Sequence, residues 1–227
     1  MVFTILTNRF RCDFLTRKTV LKKTWSGPYR WGISVSSPVV AAGCVFTSAM
    51  VDEETVGLFA FDAVSGKQLW QRTWETGPLA SVGTVNSYAS STPAADNERV
   101  YFYFTKFGMR ALDAASGEDV WHTPIPEPFF AFGWGPDASP VIYKDMLLFC
   151  QDDDLYPALH AFDKRTGKVV WSDDRLDMNV NYSQPVICTN DGVDEIVVAG
   201  TGILIGHEPK TGEHHIRHRI RAGNKGA

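Results

Sequence analysis

Residues 60–70 of this chain read Ala-Phe-Asp-Ala-Val-Ser-Gly-Lys-Gln-Leu-Trp, and the same frame returns twice more. Asp62, Gly66 and Trp70 become Asp113, Gly117 and Trp121, then Asp163, Gly167 and Trp171, so the tryptophans stand 51 and 50 residues apart. A fourth copy keeps Gly212 but has Glu208 in place of the aspartate and Ile216 in place of the tryptophan. A fixed period of this length means that one supersecondary unit is copied and stacked, because each copy alone is too small to bury its apolar face.

The motif predicts a hairpin. Asp62, Asp113 and Asp163 suit carboxylates that accept turn amides, and the glycines supply the positive φ of a short loop. Leu58 and Ala60 lead into the first turn and Leu69 and Trp70 leave it, so two antiparallel strands flank each loop. Upstream lies a second repeated element, Ser36-Ser37-Pro38, Ser91-Thr92-Pro93, Ala138-Ser139-Pro140 and Ser183-Gln184-Pro185, each followed by strand, polar turn and strand. Four short strands per unit and no helical period predict an all-β fold, a β-propeller of four-stranded antiparallel blades. About four blades are present, near 34–74, 89–123, 137–173 and 182–218. Strands as apolar as Val100-Tyr101-Phe102-Tyr103-Phe104 suit blades covered on both faces, with Trp70, Trp121 and Trp171 packed between blades.

On these residues the chain resembles the pyrroloquinoline-quinone-like (PQQ-like) repeat family, whose propellers include quinoprotein alcohol dehydrogenases and an outer-membrane assembly lipoprotein. Ser36 to Val40, Asn86-Ser87-Tyr88-Ala89-Ser90 and Ala138-Ser139-Pro140 resemble uncharacterised bacterial repeat proteins of planctomycete type more closely still. The resemblance runs over roughly residues 20–212, leaving 1–19 outside the pattern and 219–227 as a basic tail. It implies a ring of seven or eight blades, so four blades make an open, incomplete propeller that missing blades or a second copy would complete. It also implies that 20–25 is an outer strand completing a last blade. Val39 and Phe46 on the first blade, with Ile196 and Val198 on the last, are expected on open flanks. An extracytoplasmic location follows from the resemblance alone, since the basic first 23 residues lack the apolar run of an export signal.

Two function classes follow. The first is a non-catalytic binding or scaffolding module that needs no cofactor and takes a protein or small ligand at the propeller mouth. Loops entering the innermost strands bring Asn86, Tyr88, Trp134, Asp137, Asn181 and Tyr182 there, mixing aromatic surface with hydrogen-bonding groups. Asn86, Asp137 and Asn181 equally suit turns whose backbone groups they satisfy. The second class is a fragment of a PQQ-dependent alcohol or sugar dehydrogenase, which requires the quinone over a calcium ion. The family's adjacent-cysteine pair is missing, because Cys12, Cys44, Cys150 and Cys188 are far apart. That spacing contains no CxxC pair and suggests neither a zinc site nor a disulfide framework, and it reads as buried thiols. No catalytic residue or metal ligand is assigned. Asp152-Asp153-Asp154 reads as a solvated hairpin tip, and His207, His214, His215 and His218 as part of a solvated basic C-terminal segment. A net charge of −4 gives no reason for a nucleic-acid partner, and no apolar stretch approaches the roughly 20 residues of a membrane span.

Overall fold

A computed structural model describes residues 14–16, 19–21, 36–80, 82–83, 86–176, 178 and 180–219. The described residues contain strands and no helix. After a short pair, β1 (Phe14–Thr16) and β2 (Thr19–Leu21), four antiparallel sheets follow in chain order. The first is β3 (Val39–Ala41), β4 (Cys44–Met50), β5 (Thr55–Asp62) and β6 (Gln68–Glu75). The second is β7 (Ala94–Ala95), β8 (Arg99–Phe104), β9 (Gly108–Asp113) and β10 (Asp119–Thr123). The third is β11 (Val141–Tyr143), β12 (Met146–Gln151), β13 (Ala158–Asp163) and β14 (Val169–Asp174). The fourth is β15 (Val186–Asn190), β16 (Val193–Gly200), β17 (Ile203–His207) and β18 (His214–Arg219). Each is a simple meander whose strands pair only with their sequence neighbours. The first strands of consecutive sheets, β3, β7 and β11, approach one another, so they are the inner strands of an unclosed four-bladed propeller. Of the outer strand expected at 20–25, Val20 and Leu21 pair with Leu15 and Phe14, while 22–25 lie outside the described residues.

The core lies between blades. Phe46, Leu58 and Trp70 of the first meet Val100, Phe102 and Leu112 of the second. Tyr101, Tyr103 and Met109 meet Leu147, Phe149 and Phe162 of the third, and Leu148, Leu159 and Trp171 meet Ile196 and Val198 of the fourth. This corrects the expectation that Phe46, Ile196 and Val198 line open flanks. Phe46 faces the second blade, and Ile196 and Val198 face back to the third; all three are fully buried. In a strand, neighbouring residues point to opposite faces, so a one-residue misreading of register moves a side chain from flank to interface.

One contact recurs at each interface. Trp70, Trp121 and Trp171 donate their indole Nε1–H groups to the carbonyls of Ala114, Lys164 and Pro209 in the next blade's hairpin, at 3.0, 3.0 and 2.9 Å. The ring lies flat on that hairpin's glycine. A Cβ at Gly117, Gly167 or Gly212 would sit 2.7, 2.5 or 2.4 Å from it, and these glycines hold φ near +70°, which other residues adopt at a cost. A register shift precedes each aromatic position: Trp70 pairs with Ala60 but Gln68 with Phe61, which leaves Leu69 as an extra residue. The same offset occurs before Trp121, Trp171 and Ile216. Such a bulge re-aims the following side chain, and Trp70, Trp121 and Trp171 thereby enter the interblade gap while Leu69, Val120 and Val170 stay exposed.

The hairpin is self-capped. Asp113 Oδ1 accepts from the Ala115 and Ser116 amides and the Ser116 hydroxyl, and those Ser116 bonds hold its carboxyl below the usual range. Glu208 fills the same role in the fourth copy, accepting from Lys210 and Thr211.

Trp70→Ala will lower unfolding free energy by about 3–5 kcal/mol, as expected for a buried aromatic. Gly117→Ala will cost at least the ~1–2 kcal/mol of a left-handed residue, plus the displaced indole. In the double variant the glycine's increment will shrink to the backbone cost alone. Urea unfolding of the three variants checks this, and strict additivity would overturn the stacked contact.

Candidate functional site

The meander places every repeat hairpin on one face, beside the inner turns: Ala63, Ala114 and Lys164 amides donate there to Gly43, Glu98 and Asp145 carbonyls. The opposite face, the mouth, is made by the described residues of the blade connections 76–93, 124–140 and 175–185 with the loops 51–54, 105–107 and 152–157. Across it lies a segment, 126–137, in which three prolines flank Phe129, Phe130, Phe132 and Trp134. Its backbone is fixed by polar side chains of its neighbours. Asp153 Oδ2 accepts the Phe129 amide at 3.1 Å and Asp154 Oδ2 the Ala131 amide at 2.8 Å. Asn86 Nδ2 donates to the Trp134 carbonyl at 2.7 Å, Gln151 Nε2 to that of Pro126 at 3.2 Å, and the Tyr182 hydroxyl to that of Gly135 at 3.2 Å. The rings nevertheless face outward, with Phe132 81% and Trp134 57% exposed. They pair with each other at 5.8 Å, and Phe130 stacks on Tyr182 at 6.1 Å.

Under this loop lies a buried ion pair. Arg175 holds Asp152 with two bonds, Nε to Oδ1 at 2.8 Å and Nη2 to Oδ2 at 3.0 Å, and both side chains are wholly buried. Asn181 Nδ2 donates to Asp152 Oδ2 at 3.1 Å and to the Ala199 carbonyl at 2.6 Å, joining the third and fourth blades. The acidic run is therefore no solvated tip: Asp152 and Asp153 are buried and only Asp154 is exposed. Asp153 caps the nearby Leu155 and Tyr156 amides, but its other partner and those of its neighbours are distant, an arginine 23 residues downstream of Asp152 and amides of another loop, and the run itself gives no sign of these.

Of the six mouth residues, Asp137, Asn181 and Tyr182 line one recess with Tyr103 and Gln151. Its volume is about 10 Å³, room for roughly one water. Burial raises the Asp137 carboxyl and the Tyr182 hydroxyl above their ordinary values. Asn86 is an anchor of the aromatic loop and Trp134 is on display. Tyr88 leans on Phe104, ring centres 6.4 Å apart, at the edge of the first interblade core, and burial raises its hydroxyl too. Phe129 and Phe132 join Trp134 here without having been expected from the sequence, although four aromatic residues within six positions mark the segment.

The histidines do not form a free tail. His214 to His218 lie in β18, paired with β17. His207 is buried, 3.0 Å from Asp173 through Nε2, and burial holds its imidazole below the ordinary range. His215 reaches Glu195 at 2.9 Å. Residues 220–227 of the expected basic tail lie outside the described residues. Among the thiols, Cys44 and Cys150 are buried but Cys188 is exposed, because it sits on the uncovered side of β15; Cys12 lies outside the described residues.

A family described as outer membrane protein assembly factor BamB matches residues 18–131 and 58–227. This chain belongs to the PQQ-like repeat family. Among solved structures, its fold is similar to a quinohemoprotein alcohol dehydrogenase from Pseudomonas putida, at 13% identity and a TM-score of 0.54 over 83% of this chain and 34% of that one. The quinohemoprotein alcohol dehydrogenase of Comamonas testosteroni is similar at 15% identity and a TM-score of 0.54, over 83% and 35%. A europium-containing methanol dehydrogenase shares the fold at 12% identity and a TM-score of 0.53, over 84% and 43%. The PQQ-like chain thus spans about a third of the length of the two alcohol dehydrogenases. No curated protein matches it.

Arg175→Met will destabilise the protein by about 3–5 kcal/mol, because it leaves a buried carboxylate without its cation. Adding Asp152→Asn will restore part of that loss by removing the charge. Chemical denaturation of both variants is the check, and a single variant as mild as a surface change would show that Asp152 is solvated.

Proposed function

We propose that this PQQ-like propeller is a non-catalytic binding or scaffolding module whose recognition surface is the mouth. The observation that carries this reading is the segment 126–137. Its backbone is held by Asp153, Asp154, Asn86, Gln151 and Tyr182 while Phe132 and Trp134 remain exposed. Fixing a loop before binding lowers the ordering cost of association, and exposed rigid aromatics are the usual anchors of an interface. Asp137, Asn181 and Tyr182 supply polar groups on the same face, and Tyr88 lies at the edge of the first interblade core. Completion of the ring by further blades or a second copy is a separate contact that this reading leaves to the blade flanks.

The module works without a cofactor. Asp152, the buried carboxylate lining the mouth recess, is already neutralised by Arg175 and so offers no free charge to a metal ion. The adjacent-cysteine pair of the family's dehydrogenases has no equivalent in this sequence. No step of a dehydrogenase reaction is assigned to these side chains.

Two measurements test the reading. Trp134→Ala will reduce capture of the chain's binding partners at least tenfold while the melting temperature stays within a few degrees, and unchanged capture would move recognition off the mouth. Supplied with pyrroloquinoline quinone and calcium, the protein will not reduce dye with alcohols or sugars. Calcium-dependent turnover would overturn the non-catalytic reading.

A further inference from the structure

The mouth joins two properties. One is exposed apolar surface: Phe132 and Trp134 pair with each other, and Tyr156 and Leu176, in other loops of the same face, are 59% and 77% exposed. The other is charge. Among the described residues of the mouth loops, six carboxylates are exposed: Asp52, Glu53, Glu54, Glu127, Asp137 and Asp154. The exposed cation there is Lys106, which is already 3.0 Å from Glu127. The hairpin face is different, with exposed Lys67, Lys144, Arg165 and Lys168 set among its acids. The acid excess is thus concentrated on the aromatic side, and Asp154 sits within it, bonded to the Ala131 amide at 2.8 Å.

We propose that the mouth docks a cationic polypeptide segment, with apolar and aromatic side chains on Phe132, Trp134 and Tyr156 and Lys or Arg heads answered by Glu127, Asp137 and Asp154. This rests on the binding-module reading and adds the chemistry of the partner. A guanidinium is suited twice over, because it stacks on an aromatic face and also pairs with a carboxylate. Other occupants are disfavoured by the same charges. An anionic membrane surface or a nucleic acid brings more negative charge to an acidic face. A second copy meeting mouth to mouth sets like charge against like. Asp137 is exposed and has no basic partner among the described residues, so a cation arriving from outside meets no competing ion pair there.

The test is selection of a displayed library of random 12-residue peptides on the full chain, followed by fluorescence anisotropy of one selected peptide. Selected sequences will be enriched in Arg or Lys together with aromatic or aliphatic residues. Trp134→Ala will weaken binding at least tenfold. Glu127→Gln with Asp137→Asn will weaken it several-fold and flatten its dependence on salt between 50 and 300 mM, about the range over which exposed charges are progressively screened. Selected peptides that are neutral or acidic, yet lost with Trp134→Ala, would overturn the cationic partner and leave the mouth as the binding face. No selection, or binding indifferent to Trp134→Ala, would overturn both. A dimer seen by light scattering and dissolved by Trp134→Ala would assign the face to a second copy instead.

Discussion

The arrangement of this molecule depends on an indole lying on a glycine. Three times a tryptophan at the end of one blade reaches the hairpin of the next, donates to its carbonyl and covers its glycine. The contact sets the spacing of adjacent sheets as well as their attraction, because no side chain can intervene at the glycine. It also explains why one turn geometry is kept in every copy. The carboxylate that caps the turn presents the carbonyl at the height of the indole, and the bulge in the outer strand turns the indole toward it. Fidelity at one site therefore requires fidelity at three.

The mouth is organised by the opposite chemistry. Where the interblade cores are apolar, the loops above them are tied by carboxylates, amides and one enclosed arginine. Asp152, Asp153 and Asp154 are consecutive, yet their sets of partners differ. Asp152 pairs with Arg175, Asp153 caps two loops, and Asp154 holds the aromatic segment from the surface. A buried charge pair adds little net stability in such settings, but it fixes positions, and the platform above needs fixed positions more than it needs strength.

Much of the fold is legible in the sequence because its causes are local and repeated. Asp, Gly and Trp at constant offsets encode turn, clearance and dock, and the Ser-Pro elements mark where each inner strand begins. The side to which a strand residue points is less legible. Phe46, Ile196 and Val198 belong to interfaces rather than flanks, and strand alternation defines two faces without saying which is covered. The mouth is readable only in outline. Asn181 as a bridge and Asp153 as the acceptor of the Phe129 amide depend on contacts between separate loops, and no local pattern announces them. The aromatic run from Phe129 to Trp134 is visible in the letters, and its exposure is not.

The docking contact has a direction that matters during synthesis. Trp70 waits for Ala114, Trp121 for Lys164 and Trp171 for Pro209, partners that lie 44, 43 and 38 residues later in the chain. At translation rates of about 5–20 residues per second, each indole spends roughly 2–9 s without its acceptor. The growing chain thus always ends in an unfinished apolar edge, and each new hairpin covers the edge left by the blade before it while its own outer strand creates another. Assembly on the ribosome is vectorial, running from the amino terminus outward, and the moving edge is the place where a nascent chain of this kind needs shelter.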